Sequence, residues 1–401
     1  MSVLSNKRIV LGVTGSIAAY KAADLASKLT QAGALVDVIL TGAAQKFVTP
    51  LTFQSVTGRR AYIEADLWGS EAHVLHVGLG HTADLIVIAP CTANTMAKLA
   101  HGQSDSLLTV TTLASTCPLV IAPAMDVGMF DHPATQENLD TLKKRGVYVI
   151  EPAEGHLASG LTGRGRLPET PDLIGHLRFV LGRRGLLADK PIVITAGGTQ
   201  EPLDPVRVLT NKSSGRQGYA LAQAAVDAGA HVTLITTPIA LTPPIGARVV
   251  KVQTAKQMLE AVLRESEGAY ALIMAAAVAD FRPKNTAQDK IKKEAGVPPI
   301  ELEATEDILK TVSGTGSKRP RVVVGFAAES RDLLENAAVK LESKGLDLIV
   351  ANDISATDAG FAVETNRVTL LFADGRRESL PLMSKMDVAE ILMERIASLP
   401  E

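Results

Sequence analysis

The chain has 401 residues, of which 46% are hydrophobic and 21% are charged, and its formal net charge is -2. This length and composition predict a soluble, folded protein of two or three domains, because there is enough apolar material for a core in each. Aromatic residues make up only 3%, and the near-neutral charge supplies no basic field, which argues against a nucleic-acid-binding protein.

Cysteine usage and hydropathy indicate a reducing, aqueous compartment. Cys91 and Cys117 are the only cysteines, too few for a disulfide framework in a chain of this length. The longest apolar stretches, near 84–91 and 270–279, are shorter than the about 20 residues of a membrane-spanning helix. The N-terminus lacks the pattern of a signal peptide. We therefore expect a cytoplasmic protein that makes no contact with membranes.

The first half of the chain predicts a doubly wound α/β domain. An apolar run at 8–13 predicts a strand, a helical pattern follows it and ends at Gly33, and residues 35–40 predict the next strand. Shorter strands are expected at 84–89 and 119–122, each running into a loop that contains proline. Ligands of such sheets collect beyond the carboxyl ends of the strands, where these loops should lie.

The second half repeats this order from Pro191. Residues 191–198 predict a strand, residues 211–230 a capped helix that ends at Gly229, and residues 231–237 a strand; further strands are expected at 270–276, 321–326 and 346–351. We predict two tandem doubly wound, Rossmann-like domains, 1–185 and 186–401, with the boundary near Gly185. The polar, lysine-rich segment 282–299 lacks apolar periodicity and predicts a surface loop of the lid type.

A glycine motif, Gly12-x-x-Gly15-x-x-Ala18, follows the first predicted strand. Glycine there permits a sharp turn and close approach of a phosphate to a helix N-terminus. The alternative is that the same glycines only pack the helix on the sheet. The full dinucleotide fingerprint is absent, and Thr41 stands where an acidic residue would bind a ribose. The hydroxyls of Ser16 and Thr41 suit a monophosphate better than NAD, which disfavours an NAD-dependent oxidoreductase.

Three histidines cluster at His73, His76 and His81, just before the strand expected at 84–89. Their spacing allows a metal site, but no cysteine or clustered carboxylate completes a usual zinc ligand set. A structural role for each histidine is the alternative, and the spacing alone does not decide between the two.

Longer motifs carry a specific resemblance. GVTGSIAAYK, HVGLGHTADLIVIAPCTANTMAKLAHG, PAMDVGMF and GHLASGLTGRGRLPE resemble the FMN-dependent decarboxylases that act on cysteine derivatives. ITAGGTQEPLDPVRVLTNKSSGRQG, AAAVADFRPKNTAQDKIKK, VVGFAAE and DLIVANDI resemble phosphopantothenate-cysteine ligases. Together and in this order they resemble, over essentially the whole chain, the bifunctional enzymes of bacterial coenzyme A biosynthesis.

For the first half, the resemblance implies a flavodoxin-like domain that binds FMN. It assigns the FMN phosphate and ring to Gly15, Ser16, Thr41, Thr92, Ala93 and Asn94. His76, eight residues before Asp84, is implied to be the active-site base. Flavin would oxidise the thiol of the cysteine moiety to a thioaldehyde, which accepts the electrons left by carbon dioxide.

Two positions of the first half depart from the family pattern in ways that bear on catalysis. Asp126 stands where the family has an asparagine that binds the substrate carboxylate, and Phe130 replaces a tryptophan. Because like charges repel, we expect Asp126 to be protonated, displaced or compensated if the carboxylate still lies beside it. Ser159 replaces a cysteine that donates a proton in many members and is a much weaker acid. The alternative is a first domain that binds flavin without turnover and serves assembly or regulation.

For the second half, the resemblance implies CTP-dependent ligation of cysteine to 4'-phosphopantothenate through an acyl-CMP. It gives Asn211 the acyl-phosphate contact and makes Lys290 the cation that neutralises the triphosphate. Lys340 and Lys344, four residues apart on one predicted helix face, would clamp phosphates, although a solvated charged face has the same spacing. The other expected nucleotide contacts are Met274, Ala275, Ala276, Asp280, Thr305, Glu306, Asp307, Ile308 and Phe326.

Magnesium is expected with CTP, held mainly by phosphates and water, and its protein ligands are not identified from the sequence. The resemblance also implies a homo-oligomer. Decarboxylase domains of this kind form trimers with FMN at a subunit interface and ligase domains form dimers, and the two contacts together would close a dodecamer.

Overall fold

The computed structural model describes residues 2–68, 74–292, 299–329, 332–353 and 363–400. The chain divides into two compact units, Met1–Leu181 and Gly182–Glu401. None of the described helices combines the length and apolar character needed to cross a membrane.

The first unit alternates strands and helices along most of its length. Its strands are β1 Arg8–Val13, β2 Leu35–Leu40, β3 Ala61–Tyr62, β4 Leu85–Cys91, β5 Leu119–Pro123, β6 Tyr148–Val149, β7 Ala153–His156 and β8 Thr162–Arg166. Its helices are α1 Ala19–Gln31, α2 Pro50–Thr57, α3 Leu75–Thr82, α4 Ala93–His101, α5 Leu107–Ala114, α6 Val127–Phe130, α7 Pro133–Lys144 and α8 Thr170–Gly182.

A six-stranded parallel sheet forms the centre of this unit, in the order β3-β2-β1-β4-β5-β6. Every residue of β4 is buried, as expected for a strand covered on both faces. One core contains Leu25 and Leu29 of α1, and the other contains Met96 of α4 and Leu139 of α7. The doubly wound fold predicted for this half is confirmed.

The second unit has a larger sheet and several short strand pairs. Its strands are β9 Pro191–Ala196, β10 Gln200–Pro202, β11 Val208–Thr210, β12 His231–Thr236, β13 Arg248–Lys251, β14 Ala271–Met274, β15 Phe281–Pro283, β16 Leu302–Ala304, β17 Val322–Glu329, β18 Leu348–Asp353, β19 Thr365–Asn366, β20 Val368–Phe372, β21 Arg377–Ser379 and β22 Met383–Ser384. Its helices are α9 Arg216–Asp227, α10 Ala255–Ser266, α11 Ile308–Ser313, α12 Leu333–Ser343 and α13 Lys385–Ala397.

The main sheet of this unit has the order β13-β12-β9-β14-β17-β18-β20-β21. It is parallel from β13 to β18, while β20 and β21 pair in the antiparallel sense. Helix α9 packs so closely on β9 that a Cβ atom on Gly218 would lie 2.9 Å from the carbonyl oxygen of Thr195. Glycine at this position therefore allows the close approach. The predicted doubly wound fold is confirmed here too, with an antiparallel edge that the sequence analysis did not predict.

Two local predictions for the second unit need correction. Helix α9 begins at Arg216 and not near 211, since Gly215 adopts a left-handed φ of 72° just before it. The segment 282–299 is not wholly a loop: β15 pairs with β16, and the N–H of Ala287 donates to the carbonyl of Leu203 over 3.0 Å. Residues 293–298 of that segment lie outside the described part of the chain.

Candidate active sites

A large cleft lies beyond the carboxyl ends of β1, β2 and β4 in the first unit; we call it the loop cleft. Its volume is about 760 Å³, within the range of about 300–1,000 Å³ typical of ligand sites. Of the residues expected to bind FMN, those that line it are Gly15, Thr41, Thr92, Ala93 and Asn94. Residues from three loops that are far apart in sequence thus line one cavity.

Two threonines organise the loops around this cleft. Thr14, which the sequence analysis missed, is buried; its hydroxyl donates to the carbonyl of Pro90 over 2.7 Å and accepts from the N–H of Thr92. Thr92 is the N-cap residue of α4, and its hydroxyl accepts from the N–H of Thr95. The buried Thr14 hydroxyl therefore joins the loops after β1 and β4. Only its place directly after a predicted strand could have indicated this role.

The loop cleft has a donor set suited to a flavin mononucleotide. The polar residues that line it include Thr41, Asn94, Lys98, Ser106 and Thr109, and the apolar ones include Leu67, Trp68, Leu108 and Met129. Trp68 is 88% exposed. Lys98 is paired with Asp105 at 2.7 Å, and its hydrogen bond holds the pKa of Asp105 below the usual range.

A second cleft of about 640 Å³ adjoins the first; we call it the hairpin cleft because the β7–β8 hairpin forms one wall. Ser16, Asp126 and Ser159 line it, and it shares Gly15 and Met129, among others, with the loop cleft. Ser16 is the predicted FMN residue that lies here and not in the loop cleft.

The hairpin is packed against the segment that enters α6. The N–H of Met125 donates to the carbonyl of Gly165 over 3.0 Å, and a Cβ atom at Gly165 would lie 2.1 Å from the carbonyl oxygen of Met125. The guanidinium of Arg164 lies 5.2 Å from the ring centroid of Phe130, a residue that is almost fully buried. The residue in place of the family's tryptophan is therefore part of the core that supports the hairpin.

Asp126 and Ser159, the two departures from the family pattern, are hydrogen-bonded to each other. The hydroxyl of Ser159 donates to Asp126 Oδ2 over 2.5 Å, and the N–H of Gly128 donates to Oδ1 over 2.9 Å. These two bonds, that from Ser159 first, lower the pKa of the Asp126 carboxyl below its ordinary value. Asp126 is therefore a hydrogen-bonded, ionised carboxylate near neutral pH, and its state beside a substrate carboxylate stays a prediction.

The two described histidines of the cluster, His76 and His81, line neither cleft. His76 is half-buried on α3 and does not line the loop cleft or the hairpin cleft. His81 lies in the last turn of the same helix, and His73 lies outside the described residues. Within the described ranges, no group of three or more His, Cys, Asp or Glu side chains is arranged to hold a metal ion.

The second unit has a smaller cleft of about 140 Å³, here the ligase cleft, where α9 begins. It is lined by residues 213–218 and, from the predicted set, by Ala275, Ala276 and Phe326. Gly215 is the N-cap residue of this twelve-residue helix and makes no side-chain capping bond. The first turn of α9 lines the cleft, and a helix N-terminus suits an anion.

Asn211 contacts the loop after β14, whose residue Ala277 lines this cleft. Its amide nitrogen donates to the carbonyl oxygens of Ala277 and Val278, each over 3.2 Å. This fixes the orientation of the side chain against the loop after β14. Met274, at the end of β14, is buried and accepts a hydrogen bond from Thr195 at 3.6 Å, so its side chain supports the strand.

The remaining predicted nucleotide residues form a neighbouring group around α11. The N–H of Thr305 donates to the carbonyl of Asp280 over 3.0 Å, Glu306 is exposed and Ile308 is buried. Asp307 is the N-cap residue of α11. These residues do not line the ligase cleft.

The three lysines predicted to bind phosphates, Lys290, Lys340 and Lys344, do not line the ligase cleft either. Lys290 is exposed, and the N–H of the next residue, Ile291, donates to the buried Asp204 over 3.2 Å. Lys340 lies on α12, while Lys344 follows the end of that helix and pairs with Asp307 at 3.0 Å. A cation that the sequence analysis missed, Lys385, does line the ligase cleft.

Lys385 is the first residue of α13 and is only 5% exposed. Burial, followed by the nearby charge of Arg216, lowers the pKa of its ammonium, against the opposing effect of Glu364. No sequence signal marks it, because a lysine in the first turn of a helix is normally solvated.

The two halves match different family models. Residues 2–181 match the family described as "Flavoprotein", and residues 187–399 match the "DNA/pantothenate metabolism flavoprotein C-terminal domain". The chain is 46% identical over 400 residues to the "Coenzyme A biosynthesis bifunctional protein CoaBC" of Bacillus subtilis, covering 99% of this chain and 98% of that protein.

A protein with the same description from Mycobacterium tuberculosis strain H37Rv is 43% identical over 406 residues, covering 98% of this chain and 96% of its own length. Among solved structures, the C-terminal domain of a coenzyme A biosynthesis bifunctional protein is 41% identical, covers 53% of this chain and 96% of that one, and has a TM-score of 0.46. On its full-length identity to these proteins, the chain belongs to the family of bifunctional coenzyme A biosynthesis proteins.

Proposed function

We propose that this bifunctional enzyme ligates cysteine to 4'-phosphopantothenate with CTP in its second unit and decarboxylates the product to 4'-phosphopantetheine in its first. The observation that carries the proposal is the loop cleft. Loops far apart in sequence, at Gly15, Thr41 and 92–94, supply the predicted cofactor residues to one cavity of about 760 Å³. The ligation must come first, because only its product carries the cysteine carboxylate beside an amide.

Decarboxylation is proposed to occur where the loop cleft and the hairpin cleft adjoin. FMN bound in the loop cleft supplies a two-electron acceptor and donor, which loss of carbon dioxide from a cysteine carboxylate requires. Asn94 and the hydroxyls of Thr41 and Thr92 would hold it, and the apolar lining that includes Met129 would exclude water. The cysteine end of the substrate then lies in the hairpin cleft, beside Asp126 and Ser159.

We assign the base for the substrate thiol to His76 of a second copy of the chain. His76 does not line the clefts of its own chain, so a role at the thiol requires another copy to supply it. Large apolar side chains that line the two clefts are exposed, which suits such an interface; they are Ile17, Tyr20, Trp68 and Met129. A trimer of first units would bring each histidine to a neighbour's cleft.

For ligation, the nucleotide phosphates are proposed to lie at the start of α9, against residues 213–218. Asn211 would contact the acyl phosphate, and Lys290 would neutralise charge that develops as pyrophosphate leaves. Asp280, Asp307, Lys340 and Lys344 would hold the rest of CTP. Magnesium would be held by phosphates and water, because the described residues include no group arranged to bind it.

Exposed apolar residues of the second unit favour a ligase dimer. They lie on and beside the β10–β11 and β15–β16 strand pairs; they are Val206, Val208, Leu209, Phe281, Ile300 and Leu302. With trimeric first units, such dimers would close a dodecamer.

The reaction is assigned to the cytoplasm, where both free cysteines stay reduced. No observation favours a catalytically inactive first unit.

Subunit mixing tests the shared decarboxylase site. His76→Asn and Asn94→Asp variants are each expected to release little carbon dioxide, the first with FMN bound and the second with weakened FMN binding. After dissociation and reassembly together, mixed oligomers should regain activity, because one interface then combines an intact His76 with an intact cleft. If the mixed oligomers release no more carbon dioxide than the single variants, although wild-type protein regains full activity after the same treatment, His76 does not act across an interface.

A further inference from the structure

The side chains of Asp126 and Ser159 present one kind of hydrogen-bonding group to the hairpin cleft. An ionised carboxylate only accepts hydrogen bonds, so the proton in the bond between Ser159 and Asp126 belongs to Ser159. A serine hydroxyl has a single proton. With that proton directed to Asp126, Ser159 offers the cleft only lone pairs, and Asp126 offers those that Ser159 and the N–H of Gly128 leave unused.

This surface disfavours a substrate carboxylate. A carboxylate is itself an acceptor, so it cannot hydrogen-bond to either side chain, and it carries the same charge as Asp126. At about 4 Å in water, two such charges repel strongly enough to weaken binding about fivefold. The cations that line the same cleft are Lys21 and Arg166, both within hydrogen-bond distance of Glu169.

We propose that Asp126 and Ser159 form a subsite of hydrogen-bond acceptors. It binds a neutral donor of the substrate's cysteine moiety, either the amide N–H or the thiol S–H, and does not bind the carboxylate. The inference rests on the proposed placement of decarboxylation in the adjoining clefts. Asp126 would then set specificity in two ways: it fixes the direction of the Ser159 proton, and it turns the carboxylate toward the part of the cleft that holds Lys21 and Arg166.

Two ligands that differ only in the carboxylate test the proposal. For phosphopantothenoylcysteine, which has the carboxylate, the KM for carbon dioxide release is measured. For its product, 4'-phosphopantetheine, which lacks the carboxylate but keeps the N–H and S–H, the Kd is measured by calorimetry. Asp126→Asn is expected to lower the KM at least about fivefold and to leave the Kd unchanged or raised. Ser159→Ala should raise the Kd, and Ser159→Thr, which keeps the hydroxyl, should restore it.

Asp131→Asn is the matched control, because Asp131 follows the end of the same helix α6 and is exposed; it should change neither constant. Flavin absorbance reports whether each variant keeps its fold. An S-methyl analogue of the product and an analogue with an ester oxygen in place of the amide nitrogen identify the donor. The one that loses sensitivity to Ser159→Ala lacks the group that binds.

Each opposite result has a distinct meaning. If Asp126→Asn raises the KM, or changes the KM and the Kd equally, residue 126 does not exclude the carboxylate and the acceptor subsite is wrong while the cleft remains the site. If no variant at 126 or 159 changes either constant while carbon dioxide release persists, decarboxylation occurs elsewhere and the proposed placement itself fails.

Discussion

Lys344 Nζ lies 3.0 Å from Asp307 Oδ2, so the residue that follows α12 and the N-cap residue of α11 form one ion pair. Burial acts to raise the pKa of Asp307, but the hydrogen bond from Lys344 and the N–H of Lys310 outweigh it and lower the pKa. The pair is therefore intact above the ordinary pKa of an aspartate and is lost only as the pH falls through the lowered value. Near neutral pH, Lys344 would meet CTP with part of its charge already compensated.

Lys344→Gln should raise the KM for CTP several-fold and leave the KM for cysteine unchanged. It should lower the free energy of unfolding by no more than about 1 kcal/mol, because both side chains are partly exposed. Steady-state ligation kinetics and chemical denaturation measure the two effects. The control is Lys318→Gln, which breaks another exposed pair, with Glu267 at 3.1 Å. Equal KM values in the two variants would remove Lys344 from the nucleotide site.

Asn211→Asp should reduce ligation by about a hundredfold, because it places a negative charge beside the anionic acyl phosphate. The amide of Asn211 now donates to the carbonyls of Ala277 and Val278, and a carboxylate there would repel both oxygens and the acyl phosphate. Pyrophosphate release and amide formation are followed separately. The exposed Asn285→Asp in the same unit is the control, and normal amide formation in Asn211→Asp would refute the assignment.

Lys290→Gln is expected to slow amide formation strongly without unfolding the unit, because the side chain is exposed and its backbone neighbour is anchored by Asp204. Lys292→Gln, two residues away and also exposed, should have a much smaller effect. Single-turnover measurement of acyl-CMP formation distinguishes the two variants. If both slow it equally, the loop contributes only general positive charge, and Lys290 has no specific role.

The sequence predicted the parts of each unit that depend on local apolar runs. The strands at 8–13 and 35–40 were predicted within their observed bounds, β1 Arg8–Val13 and β2 Leu35–Leu40, because a strand buried on both faces is a continuous apolar run. The positions of the glycine and threonine loops of the loop cleft follow from where those strands end. The sequence was therefore sufficient to predict which loops meet at the carboxyl ends of the strands.

Contacts that depend on packing between distant segments were not predicted. Ser159 and Asp126 are 33 residues apart, and they meet only because Gly165 lets the hairpin backbone approach Met125. The burial of Lys385 likewise depends on where α13 packs. His76 was predicted only through the family resemblance, because the spacing of the three histidines does not distinguish an active-site base from a structural histidine.

The first unit's base can be tested on the flavin enzyme directly. His76→Asn should leave the FMN absorbance spectrum unchanged, because the proposed FMN contacts come from the loop cleft residues and not from His76, and should abolish carbon dioxide release. His81→Asn, on the same helix α3, is the control and should keep most of the activity. A fully active His76→Asn variant, or loss of activity only together with loss of FMN, would contradict the assignment.

The most direct measurement of the whole account is the product balance of the purified protein supplied with 4'-phosphopantothenate, cysteine, CTP and magnesium. If both units act in sequence, CMP, pyrophosphate, carbon dioxide and 4'-phosphopantetheine should form in equal amounts, with little phosphopantothenoylcysteine left over. Accumulation of phosphopantothenoylcysteine without carbon dioxide, from protein that carries its full complement of FMN, would contradict the account and show that the first unit binds flavin without turning over the substrate.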